Sequence, residues 1–145
     1  MTGEEEPIRL ERLLAAPIDE VFDAMTNAAR MAQWFSPVGG AEVEANAVVG
    51  GRLRVVMVDG DVSLEHEGEF LEVQRPTRLA FTWRSPFTGN RSTVVTVELS
   101  DENGKTRLVL EHDRLPPDER ASHTGGWSAI LDRLSAVVGS SRDGS

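Results

Sequence analysis

The sequence has no cysteine. Disulfides, thiolate nucleophiles and thiolate-ligated zinc are therefore excluded. Basic residues are scarce: 15 Lys and Arg stand against 24 Asp and Glu, a formal charge of −9. That sign argues against nucleic acid and anionic membranes as main partners. No apolar run approaches the roughly 20 residues a bilayer-spanning helix needs. The opening residues, MTGEEEP, are acidic and lack the apolar centre of a signal peptide, so a cytoplasmic location is expected. Short catalytic signatures are missing as well. The glycines form no phosphate loop, the serines sit in no nucleophile elbow, and the histidines match no zinc-ligand spacing. Neither a metal site nor a cofactor is expected. Glu65, Glu67, Glu69 and Glu72 fall on one predicted strand, and no acid–base dyad can be argued from them.

What remains is an alternation of apolar and polar residues with one long helical pattern at its end. The chain has 145 residues, 39% of them hydrophobic, which suits one domain with a real core. In residues 116–139 the apolar positions Trp127, Ile130, Leu131, Leu134, Val137 and Val138 make one stripe along a helix. Pro117 fits its first turn, Asp118 and Glu119 suit the positive end of its dipole, and Gly139 is its expected stop. Ile8, Leu10, Arg12 and Leu14 read as a first strand. Pro17 then opens a short helix with Val21, Phe22 and Met25 on its inner face. Asn27 is placed to cap a second short helix carrying Met31, Trp34 and Phe35, stopped by Pro37 and Gly39-Gly40.

From residue 41 the period becomes two. Strands are expected near 41–45, 51–58, 63–74, 78–85, 91–100 and 105–113, joined by turns containing Gly, Pro, Asn or Asp. Short connections make neighbours antiparallel. The sum is an α+β arrangement: an antiparallel sheet with one solvated face and one covered by the final helix. One domain over 7–139 is expected, with flexible tails at 1–6 and 140–145. A curved sheet stands off its helix along part of its length, and such a cleft is a common ligand site.

Several segments together resemble a known family. They are Leu14-Ala15-Ala16-Pro17 with Val21-Phe22, Trp34-Phe35-Ser36-Pro37, Gly50 to Arg54, Gly68 to Val73 with Pro76, and Leu79 to Trp83. Gly104 to Leu108, His112, His123, Gly126-Trp127, Leu131 and Leu134 complete the pattern. The order and spacing are similar to the single-domain proteins named after the C-terminal domain of the activator of heat-shock protein 90 ATPase. These belong to the START-related, birch-pollen-allergen-like superfamily (SRPBCC). The resemblance implies a helix-grip fold: a seven-stranded curved antiparallel sheet around the C-terminal helix, two short helices between strands 1 and 2, and an apolar cavity within. Superfamily members bind lipids, sterols, polyketides or plant hormones, and some are cyclases or hydrolases. The co-chaperone that gives the family its name, and its link to the stress response, carries a further N-terminal domain for which these 145 residues have no room.

The expected cavity residues are Trp34, Phe70, Phe81, Trp83, Val95, Leu110, His112, His123, Trp127 and Leu131. The tryptophans would line a pocket or simply pack in the core. His112 and His123 would orient a ligand's carbonyl or carboxylate, or else be satisfied by backbone and fix the helix to the sheet. His66, between Glu65 and Glu67 on what reads as an edge strand, adds little. Gly125-Gly126 inside the long helix costs roughly 1 kcal/mol per Gly relative to Ala. Close approach of another backbone, space for a ligand beside the helix, or a simple kink would account for it. Binding of a small apolar molecule is the leading functional expectation. Stimulation of a chaperone ATPase and cyclase or hydrolase chemistry are the alternatives, and monomer and homodimer are both compatible with the sequence.

Overall fold

The computed structural model describes residues 7–37, 40–88 and 90–143. The order is β1 (Ile8–Leu14), α1 (Ile18–Ala24), α2 (Ala28–Met31), β2 (Gly40–Ala45), β3 (Arg52–Asp59), β4 (Val62–Gln74), β5 (Arg78–Trp83), β6 (Thr93–Glu102), β7 (Lys105–Asp113) and α3 (Arg120–Asp143). All seven strands pair antiparallel in the order β1-β7-β6-β5-β4-β3-β2. No helix among the described residues is long and apolar enough to cross a membrane.

Local chemistry sets the turns. Asn103 and Gly104, at φ 58° and 87°, are the two central residues of the β6–β7 hairpin. Positive φ at both is the type I′ geometry that matches strand twist. Asn27 Oδ1 accepts from the Arg30 amide at 3.1 Å and caps α2. That helix ends at Met31, so Trp34 and Phe35 lie in the turn beyond it rather than on it. Trp34 is held there by its indole N–H, which donates to the Ala24 carbonyl at 2.9 Å.

The curvature comes from β4. Its first part pairs with β3 as far as Glu69, and from Phe70 onward it pairs with β5, with an irregularity between Phe70 and Glu72. A Cβ on Gly68 would stand 1.8 Å from the Thr82 carbonyl oxygen. Only glycine permits that approach, close to where β4 passes from pairing with β3 to pairing with β5. Inward residues of β5, β6 and β7, including Phe81, Val95, Val97, Leu108 and Leu110, are buried beneath α3. From α3 come Trp127, Ile130, Leu131, Leu134 and Val138, the stripe read from the sequence. Arg12 of β1 reaches Ser128 Oγ (2.8 Å) and Asp132 (3.3 Å), and Arg133 donates to the Ser36 carbonyl at 2.8 Å.

Two expectations about α3 change. A 3₁₀ turn at Pro117–Glu119 leads into the helix at Arg120. The helix then runs through Gly139 to Asp143. A terminal glycine stops a helix by turning left-handed, and no proline follows Gly139 to force that exit. Residues 140–143 are therefore helical. The expected tail at 1–6, together with Gly39, lies outside the described residues.

The outer face of the sheet is charged. Arg54 pairs with Glu65 (2.6 Å), Arg52 with Glu67 (3.2 Å), and Arg107 with Glu102 (2.5 Å), while Arg78 bridges Glu72 and Glu98. Partners on adjacent strands at these spacings hold the solvated face in register.

Candidate functional site

A cavity of about 220 Å³ opens between the N-terminal half of α3 and the part of the sheet that lies beyond the bend. From the sheet come Met57 of β3, Leu64 and His66 of β4, and Trp83 of β5. The helix supplies Ser122, His123, Gly126, Trp127 and Ile130, and Pro37 closes one side. Deeper in, a void of only about 10 Å³ remains among Trp34, Phe35, Phe81, Leu110 and Leu131. That is about the least volume that admits one water. The space between helix and sheet is thus open at one end and filled at the other.

Of the ten expected cavity residues, Trp83, His123 and Trp127 line the open part. Trp34, Phe81, Leu110 and Leu131 surround the residual void. Phe70 and Val95 are fully buried core and border neither space. The filling is aromatic. Trp34 stacks on Phe35 (4.8 Å, 10°), Phe35 on Trp83 (5.2 Å, 6°), and Trp83 on His66 (4.7 Å, 22°). Trp127 leans on Trp83 at 5.8 Å.

His112 is fully buried and engaged at both ring nitrogens. The Trp127 indole can only donate, and it reaches His112 Nδ1 at 2.8 Å. Nδ1 is therefore an acceptor and Nε2 carries the proton, which is donated to Thr93 Oγ1 at 2.7 Å. Thr93 donates in turn to the Trp83 carbonyl at 2.6 Å. This directed chain joins α3 to β7, β6 and β5. Burial first, and the nearby His123 second, push the His112 pKa down to about 3. His112 holds the fold together and does not reach the cavity, so its expected role in orienting a ligand is not available to it.

His123 stands at the cavity. The Glu119 carbonyl accepts from its Nδ1 at 2.9 Å, leaving the imidazole's lone pair on Nε2. Its ring meets His112 edge-on at 5.3 Å. Gly126 explains itself in the same place. A Cβ on Gly125 or Gly126 would meet nothing within 4 Å, so neither residue serves close backbone packing, and Gly126 adds its missing side chain to the cavity's volume.

His66 was set aside on sequence grounds, and the structure reverses that. β4 lies inside the sheet order, although at His66 it pairs with β3 alone; what the sequence reading missed is the direction the imidazole faces. His66 is only 4% exposed and lines the cavity. Burial lowers its pKa, hydrogen bonding to the Val55 and Leu64 backbone opposes this, and His123 lowers it further. The signal was in the alternation: if Glu65, Glu67 and Glu69 face solvent, His66 and Phe70 face inward. Met57, Leu64, Pro37, Ser122 and Ile130 carried no such mark. Among the described residues no carboxylate lines the cavity, and no group of acidic and histidine side chains could hold a metal.

A seven-stranded bent sheet gripping one long helix, with an apolar cavity at their junction, is the helix-grip architecture of START-related proteins. The family described as activator of Hsp90 ATPase homolog 1-like protein matches residues 15–139, and the chain belongs to it. Among solved structures, the chain is similar to protein NE0264 of Nitrosomonas europaea, at 23% identity and a TM-score of 0.81, covering 96% of this chain and 97% of that one. CV1439 of Chromobacterium violaceum is similar at 25% identity and 0.80, covering 92% and 97%. DynU16, a protein in the dynemicin biosynthetic locus, is similar at 26% and 0.74, covering 90% of this chain and 46% of that one. No curated protein matches the sequence significantly.

Proposed function

We propose that this chain binds a small, mostly apolar molecule in the cavity between α3 and the sheet. The observation that carries this reading is the cavity itself: about 220 Å³ of space walled by Trp83, Trp127, Met57, Leu64 and Ile130, with two imidazoles as its titratable groups. Apolar walls with a few fixed polar groups are the usual make-up of a small-molecule site. Drug-sized ligands occupy pockets of about 300–1,000 Å³, so this one suits a ligand at or below the small end and not a sterol. The match to a protein of a biosynthetic locus is consistent with a small-molecule ligand.

Neither alternative has an observation of its own. The outer sheet face carries ion pairs, and its exposed apolar residues are Leu13 on β1 and Val62 and Leu71 at separate points of β4, with Val48 and Val49 in the β2–β3 connection. A hydrolase or cyclase acting through a histidine–carboxylate pair would need a carboxylate at the cavity, and none of its lining residues is one.

The test is a thermal-shift and native mass-spectrometry screen with compact aromatic, fatty-acid and sterol ligands. A ligand held at 100 times its Kd adds about 2.7 kcal/mol, or several degrees in Tm for a domain of this size. Compact aromatic compounds should give that shift. If every class leaves Tm unchanged and no adduct is seen, the reading fails.

A further inference from the structure

Building on that cavity reading, we infer that the ligand is a small flat carboxylic acid, bound as its anion against a protonated His123. An apolar cavity of about 150 Å³ takes a benzene molecule, so about 220 Å³ encloses about nine non-hydrogen atoms in proportion, and the open end admits a larger body. The rings of Trp83, Trp127 and His66 form much of the wall. Wide rigid faces of this kind favour a planar, aromatic guest.

The polar end follows from what is and is not ionisable there. Lining residues from β3 and β5 and the residue Pro37 are uncharged. The titratable groups facing His123 are His66 from β4 and His112 from β7, and the 3₁₀ turn before its helix contributes the Glu119 carbonyl. His112 has both ring nitrogens committed to Trp127 and Thr93. His66 is buried and its pKa is lowered, so it resists taking a proton. His123 is half-buried, and its tautomer is set by the Glu119 carbonyl so that Nε2 keeps a lone pair. A carboxylate entering from water is already ionised. One proton taken from solution onto Nε2 turns His123 into an imidazolium, and no covalent bond to carbon changes. The resulting charge-assisted hydrogen bond lies in a site with little water, where such bonds are strong. A neutral guest of the same shape gains none of this.

The experiment uses the full chain with 2-naphthoate and its uncharged analogue 2-naphthalenemethanol. Binding is followed by calorimetry at neutral pH in phosphate and in Tris, buffers whose ionisation heats differ. Naphthoate should bind about tenfold tighter or more, with an enthalpy that differs between the two buffers. Its affinity should be higher in the more acidic of two near-neutral buffers, while the alcohol's stays level. His123→Gln should abolish both the preference and the buffer dependence. The wild-type buffer comparison decides the matter even if that variant does not fold. Equal affinity for acid and alcohol, or no buffer dependence, overturns the acid inference and leaves the cavity reading standing. No binding of either probe overturns both.

Discussion

Removing the indole donor of Trp127 would leave His112 Nδ1 buried with no donor facing it. Trp127→Phe keeps most of the ring packing, so its cost should be that of one unsatisfied buried acceptor, about 1–3 kcal/mol in denaturant unfolding. A loss below about 0.5 kcal/mol would show that the chain from Trp127 through His112 to Thr93 does not act as described. The same histidine sets a pH dependence. Its folded-state pKa of about 3 lies below the ordinary 6.5 of the unfolded chain. Between those values the unfolded state binds the extra proton, so stability is complete above about pH 6.5 and falls as pH drops toward 3. The full loss from this one group is about 5 kcal/mol at most. His66 is shifted in the same direction and steepens the fall. His112→Gln should flatten the profile in that window. At this scale the sequence was only partly legible. His112 was visible as a candidate, but whether an imidazole meets a ligand or an indole depends on which helix residue crosses above it, and no spacing rule encodes that.

At the level of elements, the N-terminal half of α3 carries two glycines with different jobs. Gly125 is exposed and Gly126 borders the cavity, and both have room for a side chain. Gly125→Ala should stabilise the protein by up to about 1 kcal/mol and leave ligand binding alone. Gly126→Leu keeps the helix but fills the space beside it, so it should abolish the thermal shift given by aromatic ligands while Tm itself holds or rises. Retained ligand binding in Gly126→Leu would move the site elsewhere. The strand pattern was readable because inward and outward positions alternate so regularly, as in Thr93, Val95, Val97 and Leu99 against Val94, Thr96 and Glu98. Harder to read were the ends. Trp34 and Phe35 follow the period of α2 without belonging to it, and Gly139 has a terminator's identity without its geometry.

For the whole molecule, the charge of −9 matters to an anionic guest. The surface field repels it on approach, although the cavity walls themselves carry no acidic group. Salt screens that field, with a Debye length of about 10 Å at 0.1 M. The association rate of 2-naphthoate, followed by tryptophan fluorescence in stopped flow, should therefore climb severalfold between low salt and about 0.5 M, while that of 2-naphthalenemethanol stays flat. A rate for naphthoate that falls with salt would mean that a positive local potential governs entry. The global architecture was legible because an end-to-end run of short hairpins followed by one amphipathic helix leaves few ways to bury both. The extent of the opening was not, because it depends on how many aromatic rings stack into the closed end.

The change of pairing partner along β4 has a consequence for the range of guests. Met57, Leu64 and His66 sit on a wing of the sheet, β2, β3 and the first part of β4, which joins the remaining strands through β4. The aperture is therefore governed by an angle rather than by a fixed mould. Since His66 of that wing stacks on Trp83 of the other part, a wider angle would part those two rings and a narrower one would press them together.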